Sequence, residues 1–234
     1  MMFARFPVLR FTSALLLFLF FASQLRAQQT QSPQDRVRIA FENRLNSVIK
    51  AMTTRANAEN AELNTRLTAM NAAAPLETRK LDSADVSANV SRLIEFIDYL
   101  KHERLSSDSI ARDFEDSLYV LAVEIPPNID AQSIHDLDAS FHEDRNAFNV
   151  FIDAMSKLYS DALNVLLYLQ HTSYSLDHDT FTFAAKKDQT EYRKRMKIVD
   201  ADTKELNKAN EDMRKANAKA NEQMKTPPAS SDQN

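Results

Sequence analysis

Glycine is absent from all 234 residues of this chain, where ordinary usage of about 7% would supply roughly 16. Glycine provides positive φ in tight turns, close backbone approach to phosphates, and the strained elbows that carry many nucleophiles. Its loss points to a chain built almost wholly from helix. It also removes the P-loop, the Gly-rich dinucleotide turn and the G-x-S-x-G elbow as motifs. Cysteine is absent too, which excludes thiol catalysis, Fe–S ligation, c-type haem attachment and a disulfide framework.

The first 27 residues carry Arg5 and Arg10, an apolar run from Phe11 to Ala22, and Leu25-Arg26-Ala27. This pattern reads as a secretory signal peptide cut after Ala27. The apolar run is shorter than the roughly 20 residues that span a bilayer as a helix, so retention as an anchor is the alternative. The expected location is the periplasm or the cell exterior. Cleavage would remove three arginines and no acids, taking the formal charge from −4 to −7. Such a balance disfavours nucleic acid as a general partner, although one basic face can still act locally.

Proline lacks a backbone N–H and clashes with the preceding helical turn, so it marks segment ends. Pro33, Pro75, Pro126-Pro127 and Pro227-Pro228 delimit four helices at about 33–74, 82–125, 130–172 and 180–225, each near 60 Å at about 1.5 Å per residue. Ser32 is the expected cap of the first, with Pro33 and Asp35 in its opening turn. Asp82, Asp130 and Asp179 or Thr180 are the expected caps of the others. The polar residues 226–234 read as a disordered tail.

Periodicity carries the fold. Steps of three and four through the second segment give Val86, Val90, Leu93, Ile97, Leu100, Arg104, Ser107, Ala111, Phe114, Leu118, Leu121 and Ile125. In the third segment the same steps give Ile134, Leu137, Phe141, Asp144, Phe148, Phe151, Met155, Leu158, Ala162, Val165 and Leu169. This is coiled-coil spacing. Ile94, Phe96, Ile152, Leu163 and Leu166 widen the stripe into that of a multi-helix core. The first segment offers Val37, Phe41, Leu45, Val48 and Met52, thins between Thr53 and Glu62, then resumes at Leu63, Leu67 and Met70. The fourth offers Tyr192, Met196, Val199, Thr203, Leu206, Asn210, Met213, Asn217 and Ala220. The expected fold is all-α: an elongated, antiparallel up-down-up-down four-helix bundle with coiled-coil-like packing. Asn57, Asn64 and Asn71 recur every seven residues and read as a solvated stripe, with buried register-setting Asn as the alternative.

Chemistry is sparse. Ferritin-type di-iron bundles use Glu-x-x-His on two helices, and none of the five histidines has Glu three residues before it. The end holding the first and third connections gathers Glu77, Asp82, Asp85, His171, Asp177, His178 and Asp179. These read first as caps and loop polarity, and alternatively as a divalent-cation cluster. Antiparallel pairing about a turn near residue 128 puts Arg104 and Ser107 at the height of Asp153, and Thr203 falls at the same height. They read as a register device with Arg104 extending its tip to water, or as a polar layer lining a small cavity.

Charge separates by segment. Residues 82–125 and 130–173 sum to −6 and −5, whereas 34–74 and 180–226 sum to +2 and +4. The densest basic patch is Lys186, Lys187, Arg193, Lys194, Arg195 and Lys197. It reads either as ordinary charge pairing or as a docking surface for an anionic membrane or a second copy. The expected function is a non-enzymatic interaction protein of the periplasm or cell exterior, contacting protein or envelope components. The alternative is a bundle that binds a small molecule or metal, whereas an exposed apolar strip along 206–224 would favour a protein partner. No catalytic residue, cofactor ligand or metal ligand is assigned.

Overall fold

A computed structural model describes residues 32–73, 83–127, 129, 131–177 and 180–225. The expected signal peptide and its cleavage point, Pro75, the expected caps Asp82 and Asp130, His178, Asp179 and the expected tail at 226–234 lie outside the described residues. The chain is an all-α four-helix bundle of α1 (Pro33–Ala73), α2 (Ser83–Ala122), α3 (Ala131–Gln170) and α4 (Lys186–Lys225). Each helix has 40 or 41 residues.

Local chemistry explains the ends. Ser32 Oγ accepts the Asp35 backbone N–H at 3.2 Å while the Asp35 carboxylate accepts the Ser32 N–H at 3.2 Å. That reciprocal capping box starts α1 at the expected residue. Helix α2 stops at Ala122, three residues short of the expected 125: Pro126 drives Ile125 out of helical geometry, and ahead of it the Glu124 N–H bonds the Leu121 carbonyl at 3.0 Å in a closing turn.

The fourth boundary differs from expectation. Thr180 does not cap a helix; it opens a strand. Residues Tyr174–Asp177 (β1) and Thr180–Phe183 (β2) form an antiparallel hairpin that pairs Tyr174 with Phe183 and Leu176 with Phe181. Alternation puts the aromatic rings on one side, where Phe181 lies 4.9 Å and Phe183 5.3 Å from the Tyr192 ring of α4. Ser175 and Thr182, on the other side, are exposed. Aromatic and β-branched residues suit a half-buried pleated surface, and here they displace the first six residues of the expected helix.

Two compact units divide the described residues, one built from 60–73, 83–105 and 149–211, the other from 32–59, 106–148 and 212–225. In the first, Leu93, Leu100, Ala162 and Leu166 are fully buried, with Val199 of α4 beside them in the core. In the second, Phe41, Ile49, Phe114, Leu118, Leu121 and Ile134 form one apolar cluster. The Phe114 and Phe141 ring centroids there are 4.1 Å apart. Connected helices run antiparallel in both units: Arg104 meets Asp153, His142 meets Glu115, Arg55 meets Asp113, and Lys219 meets Glu143.

Most seam positions are buried as their spacing predicts. Val37 and Ile94 are exceptions, at 56% and 45% exposure. On the last part of α4, Leu206, Ala209 and Met213 face the core, so the exposed apolar strip that would have favoured a protein partner is not found at these residues. Asn57, Asn64 and Asn71 are half-buried instead of fully solvated.

Candidate functional site

Helix α4 has a core line and, opposite it, a line of cations. At about 100° per residue, Lys186, Arg193, Lys194, Lys197, Lys204 and Lys208 project within about 50° of the direction opposite the buried Val199 and Leu206. All six are exposed, and none takes part in an ion pair among the described residues. The crest they form is about 33 Å long at 1.5 Å per residue, and no acid lies on it between its ends.

Four of the five acids in the same stretch are turned aside and engaged, and the fifth, Asp200, is half-buried on the flank of the crest. Glu191 holds Arg195 at 2.9 Å, and the Arg195 guanidinium lies 4.9 Å from the Tyr168 ring centroid. Asp188 accepts the Tyr168 hydroxyl at 3.2 Å. Glu205 and the buried Asp202 bind Lys157 of α3 at 2.6 and 3.0 Å. Burial and the adjacent Asp161 carboxyl push the Asp202 carboxyl above the ordinary aspartate range, against the pull of Lys157. Arg195, part of the basic patch legible in the sequence, thus belongs to the helix interface. Lys204 and Lys208 extend the crest beyond that patch.

The second polar assembly is internal. In the second unit, Arg145 of α3 reaches Glu59 of α1 at 3.3 Å, with side-chain exposures of 5% and 11%. Ser106 of α2 donates to the other Glu59 oxygen. The guanidinium stacks 4.9 Å from the Phe148 ring centroid and lies 3.8 Å from Asp144. Burial raises the Asp144 carboxyl above its usual range, while Arg145 pulls it back. Asp144 Oδ1, Arg145 Nε and Ser107 Oγ are buried with no hydrogen-bond partner among the described residues. The weak stretch of α1 between Thr53 and Glu62 is where the chain delivers Glu59 to Arg145.

Other expected groupings are not assembled. Arg104 pairs with Asp153 at 3.4 Å, with side-chain exposures of 32% and 64%, and its Nη1 is buried, so the guanidinium is half-buried and does not simply extend to water. Thr203 returns its hydroxyl to the Val199 carbonyl on its own helix at 2.8 Å. Of the acidic and histidine cluster, only the Asp85 and His171 side chains fall among the described residues, and both are exposed. No group of three or more His, Asp or Glu side chains able to hold a metal ion occurs among the described residues. A shallow groove of about 450 Å³ between α1 and α2 is lined by residues including Asn43, Arg44, Ser47 and Val120. It contains no acid–base pair. No described helix is long and apolar enough to cross a membrane. No protein-family model, curated protein or solved structure matches this chain.

Proposed function

We propose that this is a non-enzymatic interaction protein of the periplasm or cell exterior, whose α4 crest docks on an anionic component of the cell envelope. The carrying observation is that six cations stand in one exposed line without an ion pair among the described residues, while four of the five acids in the same stretch are held elsewhere. A solvated helix face normally mixes both signs, which stabilise each other at i, i+4 spacing.

The start of α4 supports the same reading. Lys186 and Lys187 open the helix, at the end where its macrodipole is positive, and each is disfavoured there by about 0.3–1 kcal/mol. Asp188 in the same first turn offsets part of that cost, and a local rule broken at a helix end is the kind of departure that functional sites carry. The basic and then apolar pattern of the first 27 residues supports delivery across a membrane.

The test is a pull-down of the full chain on its own envelope fraction at low and high salt, comparing the native protein with Arg193→Gln/Lys197→Gln/Lys204→Gln. Retention that is salt-sensitive and lost in the triple variant is expected. Equal retention of both proteins would remove the crest from the mechanism.

A second reading, a core that holds a small polar ligand, draws support from the partnerless Asp144 Oδ1, Arg145 Nε and Ser107 Oγ. Native mass spectrometry tests it: a retained mass absent from an Asp144→Leu/Arg145→Met variant would favour it over docking.

A further inference from the structure

We infer that the surface met by the α4 crest is an anionic phospholipid bilayer, bound flat and without insertion. This rests on the docking reading above and specifies its partner.

The shape of the array argues for a plane. Lys186, Arg193, Lys197, Lys204 and Lys208 lie along one straight helical ridge, so a flat sheet of charge engages them all at once. A single phosphate would meet two at most. A convex ridge also offers no concavity in which bidentate hydrogen bonds could enclose one anion, so affinity must come from the number of charges met and not from a pocket. A nucleic-acid duplex fits less well. A helix lying in the major groove carries its base-reading side chains on the crest and meets phosphates with its flanks. Here the crest is mostly cation, with Thr190 and Ala201 among the cations, and the flanks hold Glu205 and Asp200.

The same residues argue against insertion. An interfacial amphipathic helix buries Trp, Phe or Leu on the face it presents to lipid. The large apolar side chain beside this crest is Ile198, at 42% exposure, and the apolar face of α4 is used up in the core through Met196, Val199 and Leu206. What remains is electrostatic attraction to a negative leaflet, which decays within a Debye length and therefore with salt.

The experiment uses the full chain and two vesicle types, phosphatidylcholine alone and phosphatidylcholine mixed with phosphatidylglycerol. Co-sedimentation compares the native protein with Arg193→Gln/Lys197→Gln/Lys204→Gln and with a control of equal charge loss on other exposed sites, Arg36→Gln/Lys50→Gln/Arg214→Gln. Each crest cation is expected to contribute about fivefold to partitioning, so the crest variant falls on the order of a hundredfold. The control stays within a few-fold of the native protein, and raised salt abolishes the phosphatidylglycerol-dependent part.

The first 27 residues bind through their apolar run on both vesicle types and through Arg5, Arg10 and Arg26 on phosphatidylglycerol, but equally in all three proteins, so the crest is read from the difference between the proteins. Absence of phosphatidylglycerol-dependent binding, or equal losses in both triple variants, overturns the inference. If native envelope membranes hold the protein through the crest while pure anionic vesicles do not, the lipid assignment fails and the docking reading stands. If neither holds it, both fall.

Discussion

Replacing Arg145 with Met should cost about 3–5 kcal/mol, because it leaves the buried Glu59 carboxylate without its cation. The geometry sets that figure. Arg145 and Glu59 are 5% and 11% exposed and 3.3 Å apart, so little water is available to either. The Met stem keeps much of the volume over Phe148, and the lost stacking of the guanidinium on that ring adds about 0.5–2 kcal/mol at most. Against a typical total of about 5–15 kcal/mol, the variant should be visibly fragile.

The partner change separates charge from packing. In Glu59→Gln/Arg145→Met no carboxylate is orphaned at residue 59, and the Gln oxygen can still accept from Ser106. Most of the loss should return, leaving the double variant within about 2 kcal/mol of the native protein and a coupling of about 2–3 kcal/mol. Urea unfolding followed by helical circular dichroism measures all four corners, with unchanged m-values as the check that the same surface unfolds. A single variant that costs less than about 1 kcal/mol, or a double variant no better than the single, would refute the reasoning.

Two further outcomes follow from the first unit. Asp202 holds its carboxyl above the ordinary range, so its protonated form is the one that favours the fold. Its contribution is fully present below the unfolded pKa and is lost as pH rises through the folded value. Asp202→Asn should therefore be more stable than the native protein at neutral pH, with the advantage shrinking toward zero on acidification; a constant difference across pH would contradict this. Phe181 is 9% exposed and packs on Tyr192, so Phe181→Ala should cost about 3 kcal/mol or more. Its first sign should be faster amide exchange at the start of α4, and protection equal to that of the native protein would count against the packing described.

Where proline and three-four spacing speak together, the sequence suffices. Helices α1 and α3 start and stop within two residues of expectation, and the pairing of α2 with α3 about residue 128 correctly puts Arg104 beside Asp153. The hairpin was hidden because its signal is one alternation, Thr180-Phe181-Thr182-Phe183, without the Asn-Gly or Asp-Gly pair that usually announces a two-residue turn. An acid ahead of a run containing Lys186 and Lys187 resembles a helix start more closely. The excess of bases on α4 was legible by counting. Which bases are unneutralised was not, because that depends on contacts with α3: Lys157 of α3 takes Asp202 and Glu205, and Tyr168 of α3 together with Glu191 of α4 takes Arg195. The buried Arg145 left only an indirect trace, an Asp at position 144 interrupting an apolar seam.

The absence of native cysteine allows the central claim to be tested with a single label. An environment-sensitive dye at Ala201→Cys lies on the crest between Lys197 and Lys204, and one at Ser91→Cys sits on the exposed side of α2 in the same unit. With phosphatidylglycerol vesicles at low salt, the account predicts a spectral shift and loss of quencher access at position 201, reversed by salt, with little change at position 91. A response confined to position 91, or none at either, would contradict it.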